Sequence, residues 1–413
     1  MKLNCHAALF RFASIPMLGN TSTGCIVGLT QTGLALCEKM LQEDVPKEKA
    51  FQEEPQLCQH LLDAGFCDSN VAESRHQPKS AYLHVTQRCN LNCIGCYSAN
   101  ELRNAANDPS ATDLKKAINQ LQHVGISHLI ISGGEPLLRN DLEEIAKHAK
   151  ENCGISAITV LSNGTLITKE RARALSRYVD KIAISFDGCS SDSIPYIRGS
   201  QRFDQLCTAL EAVVDSGTTG HIIATVHAKN YDDMQQYLQL ADRYGVSVNF
   251  SLLSCRPSNE QISDLIPNPQ AQADLSRTLI SCSSTTMVDD SPLGPSLVAR
   301  SSCGAGCTCL SVDSDGSVYP CHMLHFPEFR MGNCYAEDIA CILEDDIAQW
   351  FQSFDSVAIP HCNECPYLRL CGGGCRARAF YASSDIAAPD PYCPMYKTYF
   401  AEYEPIFKAA LFS

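Results

Sequence analysis

Hydrophobic and polar positions divide the chain into zones of different period. Between residues 76 and about 260, short apolar runs fall at 81–87, 128–132, 157–162, 181–186, 221–227 and 246–253. Runs of that length predict strands. Between them, 111–124, 141–149, 169–178, 203–215 and 232–244 carry apolar residues at helical spacing. Strand–helix alternation implies an α/β fold of parallel strands joined by right-handed crossovers. There are six such units, and a full eight-unit barrel would need more chain.

The flanks read differently. In residues 1–75, the stretches 7–12 and 23–29 predict strands joined through a turn at Gly19–Asn20. A helix fits 30–41, with Thr30 or Thr32 as N-cap, and another fits 56–64, closing at Gly65. This is a small module of its own. Residues 255–300 are rich in Ser, Pro and Asn and read as a connection with a helix at 269–280. Residues 301–413 are rich in cysteine and finish in a helix. No repeat of solenoid period is present.

Composition narrows the class. A chain of 413 residues, 45% hydrophobic and 19% charged, is globular and long enough for two or three domains. The formal net charge of −14 argues against nucleic acid or an anionic membrane as partner, and tolerates a basic peptide. No apolar run is long enough for a membrane span and no secretory segment opens the chain, so the expected compartment is the cytoplasm. The 24 cysteines then point to metal ligation rather than disulfides.

Cys89, Cys93 and Cys96 stand as C-x3-C-x2-C directly after the first apolar run. Three thiolates hold three corners of a cubane iron–sulfur cluster and leave one iron open, since full cysteine ligation needs four. After the second run comes Gly133-Gly134-Glu135. Triplet and turn together resemble the radical S-adenosylmethionine (SAM) family. That resemblance implies a partial (β/α)6 barrel with its site at the C-terminal strand ends. It also implies that the Gly-Gly-Glu turn receives the methionine ammonium. By the same resemblance Asn163 follows strand three, Ser185 and Asp187 lie near the ribose, and Arg198 pairs with the methionine carboxylate. One departure is Gly95, where the family often has an aromatic residue near adenine; Tyr97 is a partial substitute.

The cysteines of residues 301–395 resemble the SPASM extension, which carries two auxiliary clusters. The resemblance assigns Cys303, Cys309, Cys321 and Cys375 to one, and Cys362, Cys365, Cys371 and Cys393 to the other. Cys307 is a rival for Cys309. Two four-cysteine sites also satisfy zinc. The cofactors implied are three [4Fe-4S] clusters and SAM.

SPASM enzymes mainly modify peptides. The segment 19–24 and its following strand and helix resemble a winged-helix-like element that binds a precursor's leader as an added strand. The expected function is therefore maturation of a ribosomally made peptide. A 5′-deoxyadenosyl radical would abstract hydrogen from an unactivated carbon, leading to a thioether, carbon–carbon or carbon–oxygen cross-link. A low-potential donor, flavodoxin or ferredoxin, would supply electrons. The alternative is an anaerobic sulfatase-maturing enzyme, which places an acid where His322 stands; an iron–sulfur carrier or scaffold is a third reading. Candidate acid–base residues on the substrate side are His322, His227 and Tyr319.

Overall fold

Strand β1 (Ala7–Phe12) folds back on β2 (Ile15–Asn20), and β3 (Ile26–Gly28) completes an antiparallel sheet of order β1-β2-β3. Helices α1 (Gln31–Gln42), α2 (Lys47–Glu53) and α3 (Pro55–Asp63) follow. The computed structural model describes residues 1–67, 78–101, 103–254, 260–282, 287–289, 291–294 and 296–411. Thr30 caps α1, its hydroxyl accepting from the Gly33 amide at 3.0 Å. The turn expected at Gly19–Asn20 is not there: both residues end β2. The hairpin instead reverses at Ala13 and Ser14, whose φ angles are +52° and +67°. Turns of this kind favour Asn-Gly, and this sequence offers no such signal. Leu18, Leu36, Met40, Cys58, Leu61 and Phe66 give the module its own core. It meets the rest of the molecule at Phe12, whose ring lies 5.3–6.5 Å from those of Tyr367, Phe400, Tyr403 and Phe407.

The central layer is a parallel sheet in chain order. Its strands are β4 (Ser80–His84), β5 (His128–Ser132), β6 (Ala157–Ser162), β7 (Lys181–Phe186), β8 (Thr219–Val226) and β9 (Ser247–Leu252). The crossovers carry α4 (Ala111–His123), α5 (Leu142–Lys147), α6 (Lys169–Leu175), α7 (Phe203–Asp215) and α8 (Met234–Tyr244). Their apolar faces bury Leu83, Ile131, Val160, Ile182 and Ile222 of the strands in one core. After α9 (Pro269–Ser281), β10 (Met287–Asp289) pairs parallel to β9. The neighbouring residues 283–286, which the sequence assigns to a connection, lie outside the described residues.

The sheet does not stop at six strands. β11 (Cys309–Val312) pairs parallel to β4 on its free edge, followed antiparallel by β12 (Ser317–Tyr319) and β13 (Gly332–Asn333). Short helices α10 (Ile339–Ile342), α11 (Asp346–Ser353), α12 (Leu368–Cys371) and α13 (Arg376–Ser383) lead to α14 (Cys393–Leu411). α14 packs on α9, where the Ser276 hydroxyl donates to the Met395 carbonyl at 2.7 Å. Among the described residues no helix is long and apolar enough to cross a membrane.

Candidate cluster and cofactor sites

The cysteine triplet lies in the loop that leaves the C-terminal end of β4. Two amides of the β5 turn fix this loop: Gly134 donates to the Thr86 carbonyl and Glu135 to the Arg88 carbonyl, each at 2.8 Å. The approach leaves no room for side chains. A Cβ on Gly134 would stand 2.0 Å from the Arg88 carbonyl oxygen, and Gly133 has a φ of +134°. Further along, Asn104 accepts from the Cys89 amide at 2.8 Å. Burial pushes the Cys89 thiol up, and also Cys93, where nearby Arg198 opposes it. Burial acts on Cys96 as well, but the Arg103 guanidinium and hydrogen bonding with Ser98 outweigh it and hold that thiol low.

The strand ends around this loop are tied together. Glu135 is fully buried and accepts from the Leu137 amide, the Ser162 hydroxyl and the Asn163 amide at 3.1, 2.9 and 2.7 Å. It thus joins the ends of β5 and β6, and burial pushes its carboxyl up against those bonds. Asn163 donates to Asn90 of the cysteine loop at 2.9 Å and accepts from the Thr165 amide at 3.0 Å. Asp187 accepts from the amides of Ile197 and Arg198 at 2.8 and 2.6 Å. Ser185 lies two residues before it, half-buried near the end of β7. The Arg198 Nε is buried without a hydrogen-bond partner and the guanidinium stands near Cys93, so it retains a donor for an anion.

Gly95 faces a different neighbour from the one expected. A Cβ there would lie 2.1 Å from Ile262 Cδ1, so an aliphatic side chain fills the place of an aromatic one. Tyr97 is committed elsewhere: its hydroxyl is 2.8 Å from that of Ser132, and its ring meets His322 edge-on at 5.0 Å. His322 also stacks on Tyr82 at 4.0 Å, and Tyr319 stacks on His325 at 4.4 Å. His227 stands apart, just past β8, where burial pushes it down to about 4. The three acid–base candidates therefore do not form one group.

Two cavities collect the other expected cluster ligands. One, of about 230 Å³, is lined by Cys303, Cys309, Cys321 and Cys375, with Cys371 reaching it as well. The other, of about 50 Å³, is lined by Cys362, Cys365, Cys371 and Cys393. Cys307 points away: its thiol donates to the Phe351 carbonyl at 3.2 Å, and burial raises it to about 12. Buried cations lie close to these cysteines. Arg378 pairs with Asp390 at 3.1 Å, and Arg376 donates to the carbonyls of Ile386 and Ala388 at 3.0 and 2.8 Å. Among the described residues, the one set of three ligand atoms within 4.8 Å of one another is His84, Asp313 and His325.

Comparison with known proteins agrees with this geometry. Residues 83–241 match the radical SAM superfamily, and residues 303–366 match SPASM, an iron–sulfur cluster-binding domain. The mycofactocin maturase MftC of Mycolicibacterium smegmatis is 30% identical over 331 residues, covering 75% of this chain and 81% of that protein. The PqqA peptide cyclase of Rhodopseudomonas palustris is 26% identical over 356 residues, covering 79% of this chain and 89% of that one. Among solved structures, anSMEcpe with bound AdoMet superposes with a TM-score of 0.67 at 18% identity, covering 81% of this chain and 99% of that one. Streptococcus suis SuiB bound to its precursor peptide SuiA gives 0.62 at 18%, covering 95% of this chain and 99% of that one. At such identities the structural likeness speaks for the fold alone. The identity to MftC across four fifths of its length, with both domain matches, establishes that the chain belongs to the radical SAM superfamily and to its SPASM-bearing enzymes.

Proposed function

We propose that the chain matures a ribosomally made precursor peptide, forming a cross-link at an unactivated carbon. The observation that carries this reading is the similarity to a peptide maturase along most of both chains. The reach of the SuiB likeness supports it: 95% coverage leaves out only about 21 of 413 residues, so most of the N-terminal module is included. We divide the chain into a winged-helix-like leader-recognition element (1–75), a partial barrel (76–260), a connection (261–300) and a SPASM region with its C-terminal helix (301–413). In this reading the leader adds a strand to an edge of the β1-β2-β3 sheet, and the mature region enters the barrel.

Cys89, Cys93 and Cys96 would hold the open cluster. Cys303, Cys309, Cys321 and Cys375 would hold one auxiliary cluster, and Cys362, Cys365, Cys371 and Cys393 the other. When bound, the open cluster and SAM together supply a 5′-deoxyadenosyl radical that abstracts hydrogen. The chain's own residues position these groups. The Gly133–Gly134 turn sets the height of the cysteine loop, Arg198 offers its free donor to the methionine carboxylate, and Asp187 holds the Arg198 backbone in place. Ser185 and Asn163 line the approach to the ribose. Flavodoxin or ferredoxin would deliver electrons in the cytoplasm. The formylglycine alternative loses its acid at His322, which is stacked on Tyr82.

Removing residues 1–67 tests the reading. SAM cleavage to 5′-deoxyadenosine should stay within about twofold, because the cluster loop lies outside the module. Modification of full-length precursor should fall by at least the hundredfold that a lost second contact costs. A truncated enzyme that keeps its clusters and modifies precursor at the normal rate would overturn leader recognition.

A further inference from the structure

We propose that His84, Asp313 and His325 form a binding site for one divalent transition-metal ion of the zinc type, distinct from the cysteine sets. It would clamp β4 to the sheet extension that follows it. The register places the first two: Val312 pairs with Leu83, so His84 at the end of β4 faces Asp313 just past β11. His325 comes back to them from the loop after β12, its ring 4.6 Å from that of His84.

The separations fit an ion better than hydrogen bonds. His84 Nδ1 lies 3.6 Å from Asp313 Oδ1, and His325 Nδ1 lies 3.4 Å from Asp313 Oδ2. Direct hydrogen bonds would close these gaps to ~2.7–3.2 Å. Donors placed ~2.0–2.1 Å from a tetrahedral ion stand ~3.3–3.4 Å apart. The donor atoms are also free to ligate. His84 is fully buried, yet neither ring nitrogen has a hydrogen-bond partner. His325 Nε2 is 2.8 Å from the Ser311 hydroxyl, an outer contact that fixes the ring and turns Nδ1 inward. Gln87 and the Ser314 amide donate to Asp313 Oδ1 at 2.6 and 2.7 Å, which leaves Oδ2 for an ion; the 3.4 Å from Oδ2 to His325 Nδ1 is the separation that matches the tetrahedral edge, and His84 offers its ring nitrogen within 4.8 Å of both. Two imidazoles and one carboxylate are a donor set that zinc accepts, with water in the fourth position.

Zinc absorption spectroscopy tests this on cluster-replete enzyme given one equivalent of Zn²⁺ and then desalted. We expect about one zinc retained per chain, with nitrogen and oxygen scatterers at ~2.0 Å. His84→Ala and His325→Ala should each retain at least tenfold less zinc with cluster iron unchanged. Failure of the unaltered enzyme to retain zinc, or a sulfur shell at ~2.3 Å placing it among cysteines, would overturn the site. So would variants that fold and hold zinc as before. If a variant loses its clusters, the shell seen in the unaltered enzyme decides alone.

Discussion

Gly134 is the residue with least freedom at the cofactor end. Its missing Cβ is what lets the β5 turn close on Arg88, one residue before Cys89. Gly134→Ala should therefore push the cysteine loop outward and reduce 5′-deoxyadenosine formation at least tenfold, while iron in the two SPASM sites stays; iron analysis with a SAM-cleavage assay reads both. Cys307 and Cys309 make a matched pair. On the proposed three-cluster assignment, Cys309→Ser should lose up to four of about 12 irons, whereas Cys307→Ser should lose none, because that thiol is turned toward Phe351. Protonation offers a third prediction. Burial pushes His221 down to about 4 in the fold, against an ordinary value of 6.5. A depressed histidine costs nothing above the unfolded value; below it, the unfolded chain takes the proton first and stability falls until the folded value is passed. The window is thus pH 6.5 down to about 4, with a loss of about 2 kcal/mol by pH 5. His221→Asn should flatten thermal midpoints over that range, and a slope equal to that of the unaltered enzyme would remove His221 as the cause. At this scale the spacing of Cys89, Cys93 and Cys96 marked the triplet in the sequence, while the other eight cysteines were assigned through the resemblance. The convergence of His84, Asp313 and His325 was hidden, because these residues are far apart in the chain and each is ordinary by itself.

Elements were legible where the period was strong. The runs at 128–132, 157–162 and 181–186 coincide with β5, β6 and β7 because each is apolar, short and bounded by helix of clear period. Prediction failed where the signal was weak. β2 was missed because Ala13–Ser14 turns the chain without glycine or asparagine, and Gly19 looked like a turn residue. β11, β12 and β13 were missed because four residues or fewer cannot establish an alternation. Yet these short strands extend the sheet from β4 and bring the SPASM cysteines beside the parallel strands. The first hairpin has its own dependency on a distant element. Phe12 sits among Tyr367 and three aromatic residues of α14, so Phe12→Ala should destabilise the docked module by ~3–5 kcal/mol. Limited proteolysis should then release residues 1–67 sooner while SAM cleavage persists. Unchanged resistance would mean that other contacts hold the module.

As a whole the molecule joins three parts in one chain: a separate N-terminal core, a parallel sheet bearing the cysteine loop, and a C-terminal region with two thiol-lined cavities. The net charge of −14 suits a peptide partner of opposite sign and works against polyanions. Family membership fixes the radical chemistry. The most direct measurement follows the hydrogen atom. The enzyme would be incubated anaerobically with SAM, a reductant and a deuterated short peptide encoded beside its gene. The account predicts deuterium in 5′-deoxyadenosine together with a matching mass loss in the peptide. Unlabelled 5′-deoxyadenosine with an unchanged peptide, from enzyme carrying all its clusters, would contradict it.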